Sequence, residues 1–352
     1  MRIFVTGGAG FIGTSLVKKA VKRGHKVINL DCLTYAANIE NHSDLVGNPN
    51  YAHEQISICD KESLTKVFEK HCPDSVMNLA AESHVDRSID SPDKFIEANL
   101  VGTFTLLEVF RKYWQTREHS NKMRFLHIST DEVFGSLGVD GKFTEVSRYE
   151  PKSPYAASKA GSDHLVRAWA NTFGIPTLIT NCSNNYGPYQ FPEKLIPLTI
   201  LKALGDESLP VYGDGSNVRD WLFVSDHVEA LLKVLVQGEV NESYNIGGNN
   251  ELSNLEVVER ICRLMDKRIP KRTSHLRLIE FVEDRPGHDK RYAIDSTKIK
   301  EKLGWSPSVS FDDGLEETLD WYLQNKSWWE RLRSRGSDKR RGLNRTKQSE
   351  SD

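Results

Sequence analysis

The chain has 352 residues, and its 47 basic and 49 acidic side chains give a formal net charge of −2. A chain of this length can bury a large core, and its near-neutral charge argues against a nucleic-acid or membrane surface on the body of the protein. The charge is uneven, because residues 331–352 carry a net charge of +5 and residues 1–330 about −7. This basic tail has almost no apolar residues, so we expect it to be disordered and solvated rather than a nucleic-acid or localisation element.

The cysteine content indicates a reducing compartment. There are five cysteines, an odd number, and none forms a C-x-x-C pair, so the sequence predicts neither a disulfide framework nor a metal site. The chain begins directly on a strand-like run, which leaves no room for a signal peptide, and no apolar run reaches the length of a membrane helix. We therefore expect a cytoplasmic protein that is not inserted in a membrane.

Short apolar runs alternate with helical patterns through the first half of the chain. Five runs are predicted to be strands buried on both faces: Ile3–Thr6, Val27–Asp31, Ser75–Leu79, Arg124–Ser129 and Thr177–Asn181. Four stretches between them are predicted to be helices: Phe11–Arg23, Lys61–His71, Asp93–Tyr113 and Ala156–Phe173. This alternation predicts an α/β fold, a doubly wound parallel sheet of the Rossmann type with helices on both faces.

The alternation weakens after about residue 183, where prolines and glycines interrupt the chain. A helix at Val224–Val236, a strand at Ser243–Ile246 and a helix at Asn254–Met265 are predicted beyond that point. We expect a dinucleotide-binding domain over residues 1–183, to which parts of 220–250 return. A smaller, mixed α/β substrate-binding lobe is expected mainly over residues 184–325, assembled from several insertions rather than joined by a clean linker.

A glycine-rich segment, Thr6–Gly13, lies between the first predicted strand and the first predicted helix. The glycines Gly7, Gly10 and Gly13 would let the backbone turn tightly and approach a pyrophosphate, which the helix N-terminus also favours. Asp31 ends the next predicted strand 18 residues after Gly13, where a carboxylate binds a ribose 2′-hydroxyl and repels a 2′-phosphate. No arginine follows it directly, so the sequence favours NAD over NADP as the cofactor.

Three further positions near predicted strand ends are candidates for the same site. Asp60 could contact the adenine or could simply cap the following helix, and the sequence leaves both alternatives open. Ala80 and Ala81 follow the third long strand, and their small side chains would let the backbone of the cofactor pass closely.

A tyrosine–lysine pair is the first catalytic candidate. Tyr155 and Lys159 are spaced i,i+4 and share one face of a predicted helix. An ammonium group and a positive nicotinamide ring would both favour the phenolate, so we expect a lowered Tyr155 pKa and a base that works near neutral pH. A tyrosine and a lysine exposed on a surface helix are the alternative. The glycine-rich segment upstream and the Ser129–Thr130 pair at a strand end favour catalysis.

Two adjacent carboxylates, Asp131 and Glu132, follow a predicted parallel strand at the edge where ligands bind in such sheets. An oxidation alone does not need them, whereas the loss of water from a sugar needs an extra acid and an extra base. Tyr155 would take the proton of a 4-hydroxyl that Thr130 also hydrogen-bonds, and Glu132 would take the proton of C5. Asp131 would protonate the departing C6 hydroxyl, so its pKa must be raised by burial and by Glu132. A solvated turn is the alternative.

These residues resemble those of the extended short-chain dehydrogenase/reductase family, and more closely those of the nucleotide-sugar 4,6-dehydratases, over roughly residues 1–325. The resemblance rests on six strings: Ala80-Ala81-Glu82-Ser83-His84-Val85-Asp86, Ser129-Thr130-Asp131-Glu132-Val133-Phe134-Gly135, Ser183-Asn184-Asn185-Tyr186-Gly187-Pro188, Arg219-Asp220-Trp221-Leu222-Phe223-Val224, Tyr244-Asn245-Ile246-Gly247-Gly248 and Asp284-Arg285-Pro286-Gly287-His288-Asp289. One departure is Phe134, where the family usually has tyrosine, and we expect this change to tune the site without abolishing activity.

The resemblance implies roles for single positions. It implies a catalytic set of Thr130, Asp131, Glu132, Tyr155 and Lys159, NAD contacts by Phe11, Ile12, Asp31, Thr34, Asp60 and Asn185, and sugar-nucleotide contacts by Ser83, Asn184, Lys194, Arg219, Asn254, Arg285 and His288. Lys194, Arg219 and Arg285 would meet a diphosphate, for which guanidinium groups suit paired oxygens. Each arginine taken singly could instead form a surface ion pair.

The resemblance also implies dTDP-glucose as the favoured substrate and a homodimer, whose interface we expect on helices Asp93–Tyr113 and Ala156–Phe173. UDP-glucose is the alternative substrate, because thymine and uracil differ by one methyl group. A nucleotide-sugar 4-epimerase would share the cofactor and the Tyr–Lys pair but has no use for two adjacent carboxylates. A non-catalytic NAD-binding sensor typically lacks the tyrosine or the lysine, and this chain has both.

Overall fold

The computed structural model describes residues 1–117 and 122–333. Its strands in chain order are β1 (Arg2–Thr6), β2 (Lys26–Leu30), β3 (Tyr51–Glu54), β4 (Ser75–Asn78), β5 (Arg124–Thr130), β6 (Thr177–Cys182), β7 (Asn184–Tyr186), β8 (Leu209–Tyr212), β9 (Val218–Phe223), β10 (Ser243–Ile246), β11 (Glu251–Ser253) and β12 (Ile279–Val282). Its α-helices are α1 (Phe11–Lys22), α2 (Lys61–His71), α3 (Val85–Asp90), α4 (Pro92–Phe95), α5 (Gly102–Thr116), α6 (Pro154–Phe173), α7 (Leu195–Leu204), α8 (Val224–Gln237), α9 (Asn254–Arg268), α10 (Thr297–Leu303), α11 (Phe311–Gln324) and α12 (Lys326–Arg333). Among the described residues, no helix is both long and apolar enough to cross a bilayer.

Seven parallel strands form the central sheet, in the order β10-β6-β5-β4-β1-β2-β3. The direction of winding reverses between β1 and β4, and ligands of such sheets bind in the crevice at this point, beyond the carboxyl ends of the strands. The predicted doubly wound fold is confirmed. Strand β10 pairs with β6 and so returns residues 243–246 to the sheet, although the exact domain boundaries stay a prediction.

The five predicted strands of the first half are present, each with ends within one residue of the prediction. Strands β4 and β6 are buried along their whole length, as expected where helices cover both faces of a parallel sheet. Strand β3 was not predicted, because its four residues are only half-buried at the sheet edge and contain no apolar run. Burial on both faces is therefore what made the central strands recognisable in the sequence.

The predicted helix over Asp93–Tyr113 is present, but its middle is π-helical, which the sequence pattern did not indicate. Helix α4 begins at Pro92, a π-helical turn spans Ile96–Val101, and α5 begins only at Gly102. The π turn contains the buried Asn99, whose amide donates to the backbone oxygen of Glu82 at 3.0 Å and to Ser158 Oγ at 2.8 Å. The wider turn thus holds the segment after β4 against α6, in keeping with the frequent occurrence of π turns near functional sites.

Helix α6 carries the predicted Tyr–Lys pair and has well-formed ends. The Ser153 side chain accepts a hydrogen bond from the Ala156 N–H, and Pro154 occupies the first turn, where its missing N–H costs nothing. The helix stops at Gly174, which has a φ of +71° that favours glycine. These caps determine which turns of α6 lie opposite the end of β5.

A second lobe is built from two small sheets, β11-β9-β7 and β12-β8, together with α7, α9 and α11. Its core is separate from those of the central sheet and is rich in aromatic rings, with Tyr186 and Phe311 in contact at a centroid distance of 5.1 Å. Strands β7 and β9 run parallel and pair at Asn184–Trp221 and Asn185–Leu222. The lobe thereby begins immediately after β6, at the carboxyl edge of the main sheet.

The C-terminal helix α12 joins this lobe to the first helix of the chain. Trp328 Nε1 donates to Asn41 Oδ1 at 2.7 Å, and Asn41 Nδ2 donates to Thr14 Oγ1 at 3.0 Å. Thr14 in turn donates to the backbone oxygen of Gly10 at 2.6 Å. A continuous line of hydrogen bonds therefore runs from α12 to the glycine-rich segment.

The predicted disordered tail begins inside α12, so its first three residues contradict the prediction. Arg331 forms an ion pair with Glu40 at 2.8 Å, and Arg333 forms one with Glu207 at 3.3 Å. Leu332 between them is buried, which explains why the helix continues to this point. The rest of the tail lies outside the described residues.

Candidate active site

A cavity of about 580 Å³ runs along the carboxyl ends of β1, β2, β4, β5 and β6. Among the residues that line it are the predicted cofactor positions Gly7, Gly10, Phe11, Ile12, Gly13, Asp31, Thr34, Ala80, Ala81 and Asn185. It is also lined by the catalytic candidates Thr130, Glu132, Tyr155 and Lys159 and by the substrate candidates Ser83, Asn184 and Lys194. The fold therefore brings most of the predicted site residues to one continuous opening.

The glycine-rich segment forms the floor of one end of this cavity. Gly7 has a φ of +69°, and a Cβ placed on it would lie 2.8 Å from the backbone of Ala80. A Cβ on Gly13 would lie 2.2 Å from the oxygen of Gly7. Because no side chain fits at either position, the backbone of this turn stays open to a ligand, next to the N-terminus of α1, which favours an anion.

Asp31 organises the same end of the cavity. Its Oδ2 accepts a hydrogen bond from the Ala9 N–H at 2.9 Å, and its Oδ1 accepts one from the Leu33 N–H at 2.8 Å. Burial raises the pKa of this carboxyl, and the two backbone hydrogen bonds oppose that shift. The carboxylate thus holds the glycine-rich turn in place and still has lone pairs for a ribose hydroxyl.

Asp60 does not belong to the cavity lining. It caps α2, where its Oδ1 accepts from the Ser63 N–H at 3.1 Å and its Oδ2 accepts from Ser63 Oγ at 2.6 Å. Of the two alternatives that the sequence left open for this residue, the structure favours helix capping. The neighbouring Cys59 lines the cavity instead.

Thr130, Asp131 and Glu132 lie at the point where β5 changes into a short 3-10 helix, Asp131–Phe134. Thr130 Oγ1 accepts from the Glu132 N–H at 3.3 Å and donates to Asp131 Oδ1 at 3.2 Å. The change from strand to helix turns the two consecutive carboxylates to different sides. Glu132 faces the cavity, whereas Asp131 is 1% exposed.

The buried Asp131 has the electrostatics of an acid that keeps its proton. Burial raises its pKa well above the ordinary value, and the charges of Glu132 and Asp220 raise it further. Within the described part of the chain, its Oδ2 has no hydrogen-bond partner that would stabilise the anion. A carboxyl group in these surroundings can donate a proton near neutral pH.

Glu132 lies among positive charges. Burial raises its pKa, and the charges of Arg285, Arg219 and Lys194 oppose that shift. These three cations come from distant parts of the chain, and the structure brings all of them towards one carboxylate. Glu132 and Asp131 are therefore adjacent in sequence but stand in opposite electrostatic surroundings, which suits a base next to an acid.

Tyr155 and Lys159 face the cavity from α6, and both are buried. Lys159 Nζ donates to the backbone oxygen of Ile128 at 2.8 Å. The predicted lowering of the Tyr155 pKa does not arise from the groups of the chain. Burial raises this pKa well above its ordinary value and the charge of Glu132 raises it further, whereas a hydrogen bond with Thr130 acts in the opposite direction. The loss of water around the phenol, which depends on how the folded chain buries it, is the largest cause of the raised pKa.

The predicted substrate positions divide into two groups. Ser83, Asn184 and Lys194 line the cavity, and Lys194 Nζ donates to the backbone oxygen of Ser83 at 2.7 Å. Arg219, Asn254, Arg285 and His288 lie outside its lining, on β9, at the start of α9 and in the turn after β12. They form the outer side of the site, on the second lobe.

Two of these outer residues are paired with acids. Arg285 Nη1 donates to Asp86 Oδ1 at 2.7 Å, and His288 Nδ1 lies 2.6 Å from Asp284 Oδ1. Arg219 instead donates to the backbone oxygen of Asp289 at 2.9 Å. Its guanidinium group is therefore held by neutral partners, and its charge remains for an anion.

Sequence reasoning missed two acids that hold the site together. Glu193 accepts from Tyr35 OH at 2.8 Å and from Arg87 Nε at 2.9 Å, and so joins the second lobe to the dinucleotide-binding region. Asp86 joins the same two regions through Arg285. The signal that could have revealed Glu193 is a charged pair, Glu193–Lys194, in an otherwise apolar segment with prolines.

Phe134, the departure from the family pattern, does not line the cavity. Its ring is buried against Phe143 and Tyr149, at centroid distances of 5.1 and 5.2 Å. The ring supports the 3-10 helix from behind, on the side away from the cavity. Phenylalanine at this position can therefore affect activity only by shifting the 3-10 helix that carries Asp131 and Glu132.

The sequence comparisons agree with one another. The profile of a family described as GDP-mannose 4,6 dehydratase matches residues 4–318. A dTDP-glucose 4,6-dehydratase of Neisseria meningitidis is 56% identical over 339 residues, which cover 94% of this chain and 96% of that protein. A dTDP-glucose 4,6-dehydratase of Escherichia coli is 52% identical over 348 residues and covers 94% and 96% of the two chains.

Solved structures of enzymes that catalyse different reactions share the backbone fold of this chain. A dTDP-glucose 4,6-dehydratase of Streptomyces venezuelae, solved with NAD and TYD bound, has a TM-score of 0.87 and 43% identity, and the match covers 94% of this chain and 100% of that one. A UDP-glucose 4-epimerase of Thermotoga maritima, solved with UDP-glucose, has a TM-score of 0.82 and 29% identity over 93% and 100% of the chains. The side chains of the site, and not the fold, must therefore distinguish the reactions.

We expect Asp131→Asn to stabilise the folded chain at neutral pH. Because burial raises the pKa of Asp131, the folded state holds a proton that the unfolded chain releases, and the stability contributed by this group falls as pH rises. Asparagine does not ionise, so the variant avoids that loss. Its free energy of unfolding should exceed that of the unmodified chain by up to about 1.4 kcal/mol more for each pH unit above about pH 4, and the difference should vanish below that pH.

Urea unfolding between pH 4 and pH 8 measures this difference. The exposed Asp140→Asn is the matched control, because it removes the same charge from the surface. If Asp131→Asn is no more stable than the unmodified chain at any pH, Asp131 does not keep its proton in the folded state.

Proposed function

The chain belongs to the GDP-mannose 4,6-dehydratase family, together with its dTDP-glucose 4,6-dehydratase relatives, and we propose that it is an NAD-dependent enzyme that removes water from dTDP-glucose. The product would be dTDP-4-keto-6-deoxyglucose. The observation that carries this proposal is the pair Asp131–Glu132 at the end of β5. One carboxyl is buried with its pKa raised well above the ordinary value, and its neighbour faces the cavity near Tyr155 with three cations opposing the rise in its pKa.

The residues of the cavity fit NAD. The turn from Gly7 to Gly13 would hold the pyrophosphate, Asp31 a ribose, and Ala80 and Ala81 would let the cofactor pass along the sheet edge. When bound, NAD would supply a hydride acceptor for C4 of the hexose and a hydride donor for C6, so that no net redox change results.

Tyr155 and Thr130 act on the 4-hydroxyl. Tyr155 would take its proton as C4 is oxidised, which requires the positive charge of bound NAD to counter the rise that burial causes in the Tyr155 pKa. Thr130, which is hydrogen-bonded within the same turn, would hydrogen-bond the same oxygen. Lys159 holds its positive charge beneath this position, against the backbone of β5. The resulting 4-ketone acidifies the hydrogen on C5, because the carbanion that forms is an enolate.

Glu132 and Asp131 complete the dehydration. Glu132 removes the proton of C5, and Asp131 gives its proton to the C6 hydroxyl, which leaves as water. The double bond between C5 and C6 then accepts the returned hydride at C6, and Glu132 gives its proton back to C5. Burial raises the pKa of both carboxyl groups, and that of Asp131 well above its ordinary value, whereas Arg285, Arg219 and Lys194 oppose the rise at Glu132. The elimination therefore needs no acid or base from solvent.

The nucleotide end of the substrate would lie against the second lobe. Lys194, Arg219 and Arg285 form a cationic group near Glu132 that suits a diphosphate. Ser83, Asn184, Asn254 and His288 would contribute polar contacts. Binding there would hold the hexose between the two lobes, with C5 and C6 towards Asp131 and Glu132.

We also propose a homodimer that forms through α5, α6 and the π turn before α5. Ile96, Val101, Phe104 and Phe173 are each at least 40% exposed, although all are large and apolar. Phe104 and Phe173 are linked by contacts with Trp169 at 5.7 and 5.6 Å. We propose that the same surface of a second copy of the chain covers these residues. The sequence analysis expected the dimer interface on the same two helices.

A location in the reducing cytoplasm belongs to the same proposal. All five cysteines lie within the described residues and carry free thiols. A compartment that keeps thiols reduced suits this pattern.

The proposed function is tested by incubating the protein with NAD and dTDP-glucose and then adding alkali, which reveals a 4-keto-6-deoxy sugar by its absorbance. We expect a strong signal with dTDP-glucose. A signal with UDP-glucose alone would overturn the choice of substrate, and a C4 epimer as the sole product would exclude a dehydratase.

We expect Glu132→Gln to stop the reaction after oxidation. Glutamine cannot take the proton of C5, so turnover should fall by about 100-fold or more while reduced nicotinamide accumulates on the enzyme. The near-ultraviolet absorbance of the reduced ring, followed in a single turnover, measures this. The exposed Glu150→Gln is the control for loss of charge. Normal turnover in the variant would remove Glu132 from the mechanism.

The dimer is tested by the double variant Val101→Asp/Phe104→Asp. Two carboxylates in the proposed interface would be costly to bury, so the mass found by light scattering at micromolar concentration should be halved. Val236→Asp is the matched control, because Val236 is 53% exposed on α8 and away from this surface. An unmodified chain that is already monomeric contradicts the proposal.

A further inference from the structure

Three ionisable residues follow one another along a single buried face of α6. Tyr155, Lys159 and Asp163 are spaced i, i+4 and i+8, and each is less than 9% exposed. The proposed mechanism uses the first two. Asp163 is fully buried and lies one turn further from the cavity, which its side chain does not line.

Asp163 is held by neutral hydrogen-bond donors. Its Oδ2 accepts from Ser129 Oγ and from Tyr149 OH, both at 2.8 Å, and from Asn181 Nδ2 at 3.3 Å. His127 Nε2 lies 3.3 Å from Oδ1. Burial alone would raise the pKa of Asp163, but His127, Lys159 and Ser129 bring it below the ordinary value. The carboxyl is therefore an anion in the interior.

None of these donors supplies the matching positive charge. Burial and the charge of Lys159 lower the pKa of His127 to about 4, so this imidazole is neutral at neutral pH. In residues 1–117 and 122–333, no lysine or arginine lies within 4.0 Å of Asp163. A buried anion without a partner is strongly destabilising, so a nearby cation must compensate for it.

Lys159 is a buried cation that needs a nearby negative charge. Its Nζ donates to the backbone oxygen of Ile128, a neutral acceptor, and the side chain is 4% exposed. Burial lowers its pKa, and Asp163 is the largest influence in the opposite direction, followed by Cys182. Two opposite charges thus occupy consecutive turns of one helix, each otherwise surrounded by neutral groups.

We propose that Asp163 is the buried counter-charge of Lys159, a positioning residue that keeps the catalytic ammonium group protonated below the nicotinamide end of the cavity. This inference rests on the proposed function for its effect on turnover. Asp163 touches neither the cavity nor the reacting atoms, and it acts through Lys159. Hydrogen bonds from β5, β6 and the segment before α6 hold the Asp163 carboxylate in place, and so keep its negative charge at a fixed distance from Lys159.

The charged and titratable groups around this pair come from every neighbouring element. They are Tyr155 and Arg167 on α6, His127 on β5, Cys182 on β6 and Tyr149 in the segment before α6. Lys159 loses its proton as pH rises through its pKa, and the negative charge of Asp163 raises that pKa. Removal of Asp163 therefore moves the loss of the ammonium group to lower pH.

The first test compares the pH profiles of turnover for Asp163→Asn and the unmodified enzyme. The alkaline limb should shift to lower pH by about one unit or more, with a smaller change near the acid end. Asp226→Asn is the matched control, because Asp226 is also buried and accepts three hydrogen bonds, from Ser308 and Val309, on a different helix. An alkaline limb that does not move, or that moves equally in the control, overturns the proposal.

The second test needs no turnover, so it separates a failure of this inference from a failure of the proposed function. Melting temperatures are measured for Asp163→Asn, Lys159→Met and the double variant. If the residues compensate for each other, Lys159→Met should raise the melting temperature, or the soluble yield, of Asp163→Asn, since it removes the unpaired cation. A double variant that is no more stable or soluble than Asp163→Asn overturns the proposal.

Discussion

The exclusion of water around charged groups at the carboxyl end of β5 is the constraint on which the site depends. Burial raises the pKa of two neighbouring carboxyl groups, and nearby cations oppose that rise more strongly at one of them than at the other. Burial and the charges of Glu132 and Asp220 raise the pKa of Asp131 well above its ordinary value, whereas three cations oppose the rise that burial causes at Glu132. A change from strand to 3-10 helix, secured by Thr130, is what sends two consecutive side chains into these different surroundings. Under the proposed mechanism, this small feature of the backbone provides an acid and a base.

Burial also explains the organisation beneath the site. Tyr155 and Lys159 both lie out of contact with bulk water, and burial opposes the charged form of each. The proposed counter-charge at Asp163 raises the pKa of Lys159 and so favours its ammonium form. The hydroxyl groups of Ser129 and Tyr149 hold that carboxylate without neutralising it. The catalytic face of α6 is thus continuous with a polar network in the interior.

The two lobes are joined by contacts that also shape the site. Glu193 and Asp86 bridge the dinucleotide-binding region and the second lobe, and Arg285 reaches Asp86 across 199 positions of sequence. Helix α12 adds a third link, through Trp328 and Asn41 to the first helix. Since a substrate would lie between the lobes, these contacts decide how closely its hexose can approach the end of β5.

The sequence was enough to predict the alternation of strands and helices, the glycine-rich turn and the positions of Asp131, Glu132, Tyr155 and Lys159, because these features depend on local periodicity and spacing. It could not give the π turn at Ile96–Val101, the choice of Asp60 as a helix cap, or the rise in the Tyr155 pKa. Those features depend on burial and on contacts between residues far apart in the chain, which exist only once the sheet, its helices and the second lobe are packed together.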